Sequence, residues 1–147
     1  MSEALRLIVN ADDFGMTESV NAGILEAHER GIVTSASLMA TGPAFEHAVA
    51  LAKMHPRLAV GVHLTLTEQR PLIGPGAAAS LVDADGRFAP HLVQFAGRYL
   101  RGKVDLAEVR AELDAQIRKV RETGIPVTHL DGHQHVHVLP EIGRAHV

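Results

Sequence analysis

Three stretches of this sequence carry side chains able to hold a cation or move a proton. They are Asp12-Asp13 in NADDFG, His63 in GVHLTLT, and the alternating run His129, Asp131, His133, His135 and His137 in THLDGHQHVH. Two imidazoles, one carboxylate and an open position make a catalytic metal site, whereas structural sites are closed by four protein ligands. The chemistry such a site performs is metal-assisted hydrolysis. Cysteine is absent. Its absence removes thiolate ligands, iron–sulfur clusters, disulfides and a cysteine nucleophile, and fits a reducing compartment. No Walker A, GxGxxG or GxSxG pattern occurs, so nucleotide binding and serine esterase chemistry have no motif behind them.

Each stretch alone has a plainer reading. Adjacent acids such as Asp12 and Asp13 also suit a helix N-terminus, where they face the macrodipole. They reach one site only if the chain turns there, and Gly15 permits a turn. A histidine inside an apolar strand, as at His63, is also at home as a satisfied core residue. Thr65 and Thr67 share its face by period-two alternation and could line a pocket or simply suit a strand. The run at 129–137 puts His129, Asp131, His133, His135 and His137 on one face if extended. If a helical turn begins after Gly132, His133 and His137 meet at i and i+4 instead. A solvated polar loop is the bland alternative. The remaining histidines, His28, His47, His55, His91 and His146, are read as structural or solvated.

The elements that must position these residues alternate. Residues 5–10 read as a buried parallel strand, followed by a helix that Thr17 caps and Gly31 stops. A strand at 33–38, a helix at 45–54 ended by Pro56, and a β-branched strand at 58–66 come next. Residues 68–90 are rich in Gly, Pro and Ala and read as a long excursion, functional or mobile. Helices follow at 91–100 and 105–123, then a strand at 127–130, and Pro140 can open another helix. Strands alternating with helices imply parallel pairing through right-handed crossovers, hence an α/β fold. The polar clusters all fall at C-terminal strand ends, the edge where parallel α/β folds build their sites.

Composition narrows the classes. With Lys plus Arg at 14 and Asp plus Glu at 17, the net charge of −3 argues against a nucleic-acid partner. Hydrophobic residues at 46% give enough apolar surface for a folded core within 147 residues. No run is long and apolar enough for a membrane span, and the N-terminus lacks the apolar stretch and cleavage site of a signal peptide. The expected location is the cytoplasm.

The blocks IVNADDFG, RGIVTSASLMATG, GVHLTLTEQRPL and THLDGHQHVHVLPEI resemble, in order and spacing, the YdjC-like carbohydrate deacetylases of the chitooligosaccharide deacetylase type, one branch of which is associated with hopanoid biosynthesis. The resemblance runs over residues 5–142. It implies an irregular (β/α) barrel of the polysaccharide deacetylase kind and a divalent metal ion, Mg²⁺ by resemblance. It also implies removal of an N-acetyl group from an amino sugar or oligosaccharide. The donor types equally admit Zn²⁺. Position by position, Asp13 matches the metal-binding aspartate, His63 the first metal histidine and His133 the second. Asp12 sits where related deacetylases keep a general base. Asp131, His135 and His137 are left for substrate contact or acid/base work, His135 or His137 being candidates to protonate the leaving amine.

Family members run to about twice this length, so residues 1–147 are read as one domain, incomplete at its C-terminus. That portion holds parallel strands with helices outside. A half-barrel standing alone leaves sheet edges unpaired, which predicts a homo-oligomer. Two further readings stay open: a truncated, non-catalytic metal- or sugar-binding half-barrel, and a metal-dependent hydrolase of another bond.

Overall fold

The computed structural model describes residues 7–144. Four strands, β1 (Asn10–Phe14), β2 (Ser35–Leu38), β3 (Ala59–Leu64) and β4 (Val127–Gly132), form one parallel sheet in the order β1-β2-β3-β4. Helices α1 (Glu18–Glu29) and α2 (Phe45–Met54) make the first two crossovers, and α3 (Leu92–Leu100) and α4 (Leu106–Glu122) lie in the third. A short helix, α5 (Pro140–Arg144), closes the described chain. The expected helices at 45–54, 91–100 and 105–123 stand within a residue of their places. Thr17 caps α1 by accepting from Val20 N–H at 3.1 Å, and Asp105 caps α4 by accepting from Ala107 N–H at 2.8 Å.

The two faces of the sheet differ in chemistry. Ala36, Leu38, Val60, Val62 and Leu64 are buried in the core with Val109, Leu113 and Val120 of α4. The alternate positions, Asn10, Ser35, Ser37, Gly61, His63, His129 and Asp131, make the polar face, as period-two alternation requires. Gly61 is needed there because His129 lies flat against it. A Cβ at Gly61 would stand 2.4 Å from the imidazole.

The first strand departs from expectation. Of the apolar run expected as a strand at 5–10, the described residues 7–9 precede the strand and only Asn10 belongs to it. Residues 5 and 6 lie outside the described residues, and Leu7 and Ile8 are each 77% exposed. The ladder begins at Asn10, opposite Ser35, and runs through the two aspartates to Phe14, with a register shift between Ala11 and Phe14. A polar segment serves as a strand because it faces the polar side of the sheet. The excursion at 68–90 forms neither helix nor regular strand, yet it is packed, with Ala78, Leu81 and Phe88 fully or almost fully buried. Among the histidines read as structural, His28 contacts the Val33 carbonyl, His47 contacts Asn21, and His55 pairs with Glu29 at 2.9 Å. His146 lies outside the described residues.

Candidate metal centre

Asp13, His63 and His133 come to one point at the C-terminal edge of the sheet. Asp13 arrives on a bulge. Its own φ is +63°, so the turn expected at Phe14-Gly15 begins at the aspartate itself. That twist brings to His63 two neighbours which a regular strand would send to opposite faces. His63 stands on β3 and is 2% exposed. His133 follows β4 immediately, and the strand ends because Gln134 and His135 take φ of +50° and +58°. The non-glycine residues with positive φ among those described are Asp13, Glu68, Gln134 and His135. Each such conformation costs on the order of 1–3 kcal/mol. Three of the four residues belong to this cluster or touch it, which marks where the fold spends its stability.

The directions of the imidazoles carry the chemistry. A carboxylate only accepts, so its partner nitrogen must donate. His63 Nδ1 donates to Asp131 Oδ1 at 2.7 Å, which leaves Nε2 to face the cluster. His133 Nε2 donates to Glu68 Oε2 at 3.2 Å, which leaves Nδ1 to face the cluster. The two inward-facing nitrogens are 3.3 Å apart, within hydrogen-bond reach of each other. Asp13 Oδ1 lies 3.3 Å from His63 Nε2 and 2.8 Å from His133 Nδ1. This oxygen is buried and receives no well-directed hydrogen bond. Donor atoms bound to one cation at about 2.0–2.2 Å lie about 3.0–3.5 Å from each other, close to what is seen here. The residues therefore fit a divalent cation, and the carboxylate behind each imidazole is the usual orienting partner of a metal-ligating histidine.

The surrounding acids favour positive charge at this point, carried by protons on the imidazoles or by a cation in their place. Contacts with His133 and His63 hold the Asp13 carboxyl well below the usual carboxylate range, against burial. Burial disfavours charge on His63, but Asp13 and Asp131 outweigh it and push the imidazole up to about 9. Burial likewise opposes charge on His133, and Asp13 and Glu68 raise it. The cluster is thus a ring of acids arranged around positive charge.

A second grouping, Asp12, His63 and Asp131, lies on the other side of the His63 ring. Asp12 is exposed, and its Oδ1 accepts from Asn10 Nδ2 at 2.9 Å. Asn10 also donates to Ser37 Oγ at 2.8 Å, and Ser37 donates to Asp131 Oδ2 at 2.5 Å. Both oxygens of Asp131 are therefore engaged, one by His63 and one by Ser37. Burial opposes ionisation of Asp131, but His63 and Ser37 overcome it and lower its pKa.

His135 and His137 do not join the cluster. His135 is exposed, and His137 folds back over Gly132, where an added Cβ would stand 2.5 Å from its Nδ1. Neither the fully extended run nor the i, i+4 pair of His133 and His137 is adopted, because the left-handed residues 134–135 break both. Thr65 and Thr67 do not line the opening: both are fully buried, and Thr65 Oγ1 donates to the His63 carbonyl at 3.1 Å. Sequence reasoning missed Glu68 and Ser37. Ser35 and Ser37 alternate in an otherwise apolar strand, a signal of a polar face. Nothing in the sequence marks Glu68 beyond its place just after a strand.

The four-stranded parallel sheet with a carboxylate–imidazole cluster at its C-terminal edge makes this an α/β chain of the half-barrel kind. The model of the YdjC-like protein family matches residues 6–147. The chain belongs to that family. It is 45% identical over 141 residues to a carbohydrate deacetylase of Brevibacillus brevis, covering 94% of this chain and 52% of the relative. It is 42% identical over 137 residues to a chitooligosaccharide deacetylase of Serratia marcescens, covering 92% of this chain and 52% of that one. A crystal structure from Enterococcus faecalis, provisionally described as a cellobiose-phosphate cleavage protein, superposes with a TM-score of 0.85 at 41% identity, covering 94% of this chain and 52% of that one. The chain spans about half the length of the curated relatives it matches. Among the described residues, no helix is long and apolar enough to cross a membrane.

Proposed function

We propose that this chain carries the metal-centred half of a carbohydrate deacetylase that hydrolyses the N-acetyl amide of an amino sugar or oligosaccharide. The observation that carries the reading is the convergence of Asp13, His63 and His133, each imidazole held from behind by a carboxylate. The family relationship to carbohydrate and chitooligosaccharide deacetylases supports the substrate class. Asp13, His63 and His133 would hold the ion, Mg²⁺ by resemblance or Zn²⁺ by donor type. A divalent ion there supplies Lewis acidity toward a carbonyl oxygen and lowers the pKa of a water.

The protein's own residues do the rest. Asp12, exposed beside the cluster and steadied by Asn10, takes the proton from the attacking water as general base. The water oxygen bonds to the acetyl carbon, the C–N bond breaks as the departing nitrogen takes up the proton that Asp12 received, and acetate leaves with the sugar amine free. Asp131 keeps His63 in the tautomer that faces Asp13. Protonation of the leaving amine is not assigned to His135 or His137, which lie away from the cluster.

The test is acetate release from N-acetylated chitooligosaccharides by the chain, with and without chelator and with metal restored. Acetate that appears only with metal supports the reading. Binding of the sugar without acetate release would favour a non-catalytic half-barrel. Release of another product, with no acetate, would point to a hydrolase of a different bond.

A further inference from the structure

Glu68 lies outside the ligand set proposed above, yet its geometry ties three separate parts of the chain to one ligand. It opens the 68–90 excursion with φ +66°, a conformation that a side chain other than glycine rarely adopts. Its Oε2 accepts from His133 Nε2 at 3.2 Å, and its Oε1 accepts from Gln134 Nε2 at 2.7 Å. Gln134 in turn accepts the N–H of Leu92 at 2.8 Å, at the start of α3. The backbone of Glu68 is held independently: its N–H donates to the Ala89 carbonyl at 2.9 Å, and its carbonyl accepts from Arg87 Nη2 at 2.9 Å. One carboxylate therefore grips two consecutive residues, 133 and 134, at the point where β4 breaks into a left-handed turn.

We propose that Glu68 is a positioning residue whose carboxylate accepts the His133 Nε2–H and so commits His133 Nδ1 to Asp13 and His63. The proposal rests on the metal-centre reading above. Its logic is that an imidazole has two chemically different nitrogens, and which one faces a cation is set by what the other one bonds. His63 and His133 solve this in opposite senses. Asp131 takes Nδ1 of His63 and turns Nε2 inward, while Glu68 takes Nε2 of His133 and turns Nδ1 inward. An amide in place of Glu68 can still accept from Gln134, but it can offer an N–H toward His133 Nε2. That contact would place the His133 proton on Nδ1, pointing at the site.

The experiment is calorimetric titration of Zn²⁺ into chelator-stripped chain, comparing wild type, Glu68→Gln and Arg87→Ala, with far-UV circular dichroism to confirm folding. Loss of such an orienting partner typically weakens metal affinity about 10–100-fold, and that is the expectation for Glu68→Gln. Arg87→Ala removes a backbone anchor of the same loop without touching the carboxylate, and it should keep wild-type affinity. A folded Glu68→Gln that binds Zn²⁺ like wild type overturns the proposal, and so does an Arg87→Ala that is weakened equally, since loop anchorage would then explain the loss. If Glu68→Gln does not fold, nitrogen-15 NMR of the zinc-loaded wild type decides. Zinc on His133 Nδ1 with a protected Nε2–H supports the proposal, and zinc on Nε2 overturns it. A wild type that takes up no Zn²⁺ removes the metal-centre reading itself, an outcome distinct from a Glu68 variant that merely matches wild type.

Discussion

Two buried polar clusters meet strand β3 near its C-terminal end, and they are finished in different ways. On the helix side, Gln116 accepts from Thr65 N–H at 2.8 Å and donates to the Thr65 carbonyl at 2.7 Å and to Glu112 Oε1 at 2.7 Å. Glu112 accepts from Leu72 N–H at 3.0 Å and from Ile73 N–H at 3.1 Å. Burial raises the Glu112 pKa, opposed by its bonds to Gln116, Leu72 and Ile73. Every polar atom of these two side chains has a partner, and the network holds the 68–90 excursion onto α4. On the polar face, His63 and His133 are held from behind by Asp131 and Glu68, and their forward nitrogens lie 3.3 Å apart, but the buried Asp13 Oδ1 that both face has no directed hydrogen bond. A closed network of the first kind stabilises and specifies a fold. The second kind leaves a buried carboxylate oxygen without a directed partner, which is costly unless something else binds there.

The comparison can be broken by substitutions on either side. Asp13→Asn has the largest expected effect: uptake of divalent metal should vanish in elemental analysis, and acetate release should fall to background. Retained metal at wild-type stoichiometry would remove Asp13 from the ligand set. Asp12→Asn separates the two adjacent acids by role. The amide keeps the shape and cannot accept the proton, so turnover should drop about 10²–10⁴-fold while metal content stays at wild-type level. If both variants lose metal equally, Asp12 belongs to the ligands and the base lies elsewhere.

The closed network should answer in stability rather than in metal binding. Gln116→Leu keeps the volume and leaves the Thr65 N–H and carbonyl without their Gln116 partner, at about 1–3 kcal/mol for each buried group left unpaired. Denaturant unfolding should show that loss, and zinc affinity measured below the transition should be unchanged. A variant with wild-type stability and impaired zinc binding would reverse the contrast drawn here.

An exposed pair gives the smallest effect. His55 accepts support from the Leu51 carbonyl and from Glu29, which together raise its pKa above the ordinary 6.5. A raised folded value means that this contribution is fully present below about pH 6.5 and is lost as the pH climbs through the raised value. Glu29→Gln should therefore cost under about 1 kcal/mol near pH 6, where Glu29 is ionised and His55 protonated, and nothing measurable at alkaline pH, as thermal melts across pH would show.

Much of this protein is local enough to be determined by its sequence. Helical periodicity placed α1 and α4, with Thr17 as the cap of α1, because both signals depend on residues only a few positions apart. The alternation of strands and helices implied a parallel sheet with its polar clusters at one edge, and Asp13, His63 and His133 do lie at that edge. The first strand lies later than apolar character predicts. The real β1 is polar, paired through its backbone to Ser35 and facing a polar sheet surface. His135 and His137 looked equivalent to His133 by spacing. Positive φ at two consecutive residues sent them elsewhere, and no residue type at 134–135 announces that. Only the tertiary structure could show which nitrogen of each imidazole faces Asp13. That depends on Asp131 and Glu68 meeting their histidines across 68 and 65 residues of chain. A hydrogen bond between side chains so far apart in sequence leaves no periodic trace, because it is set by how the sheet and the 68–90 excursion pack.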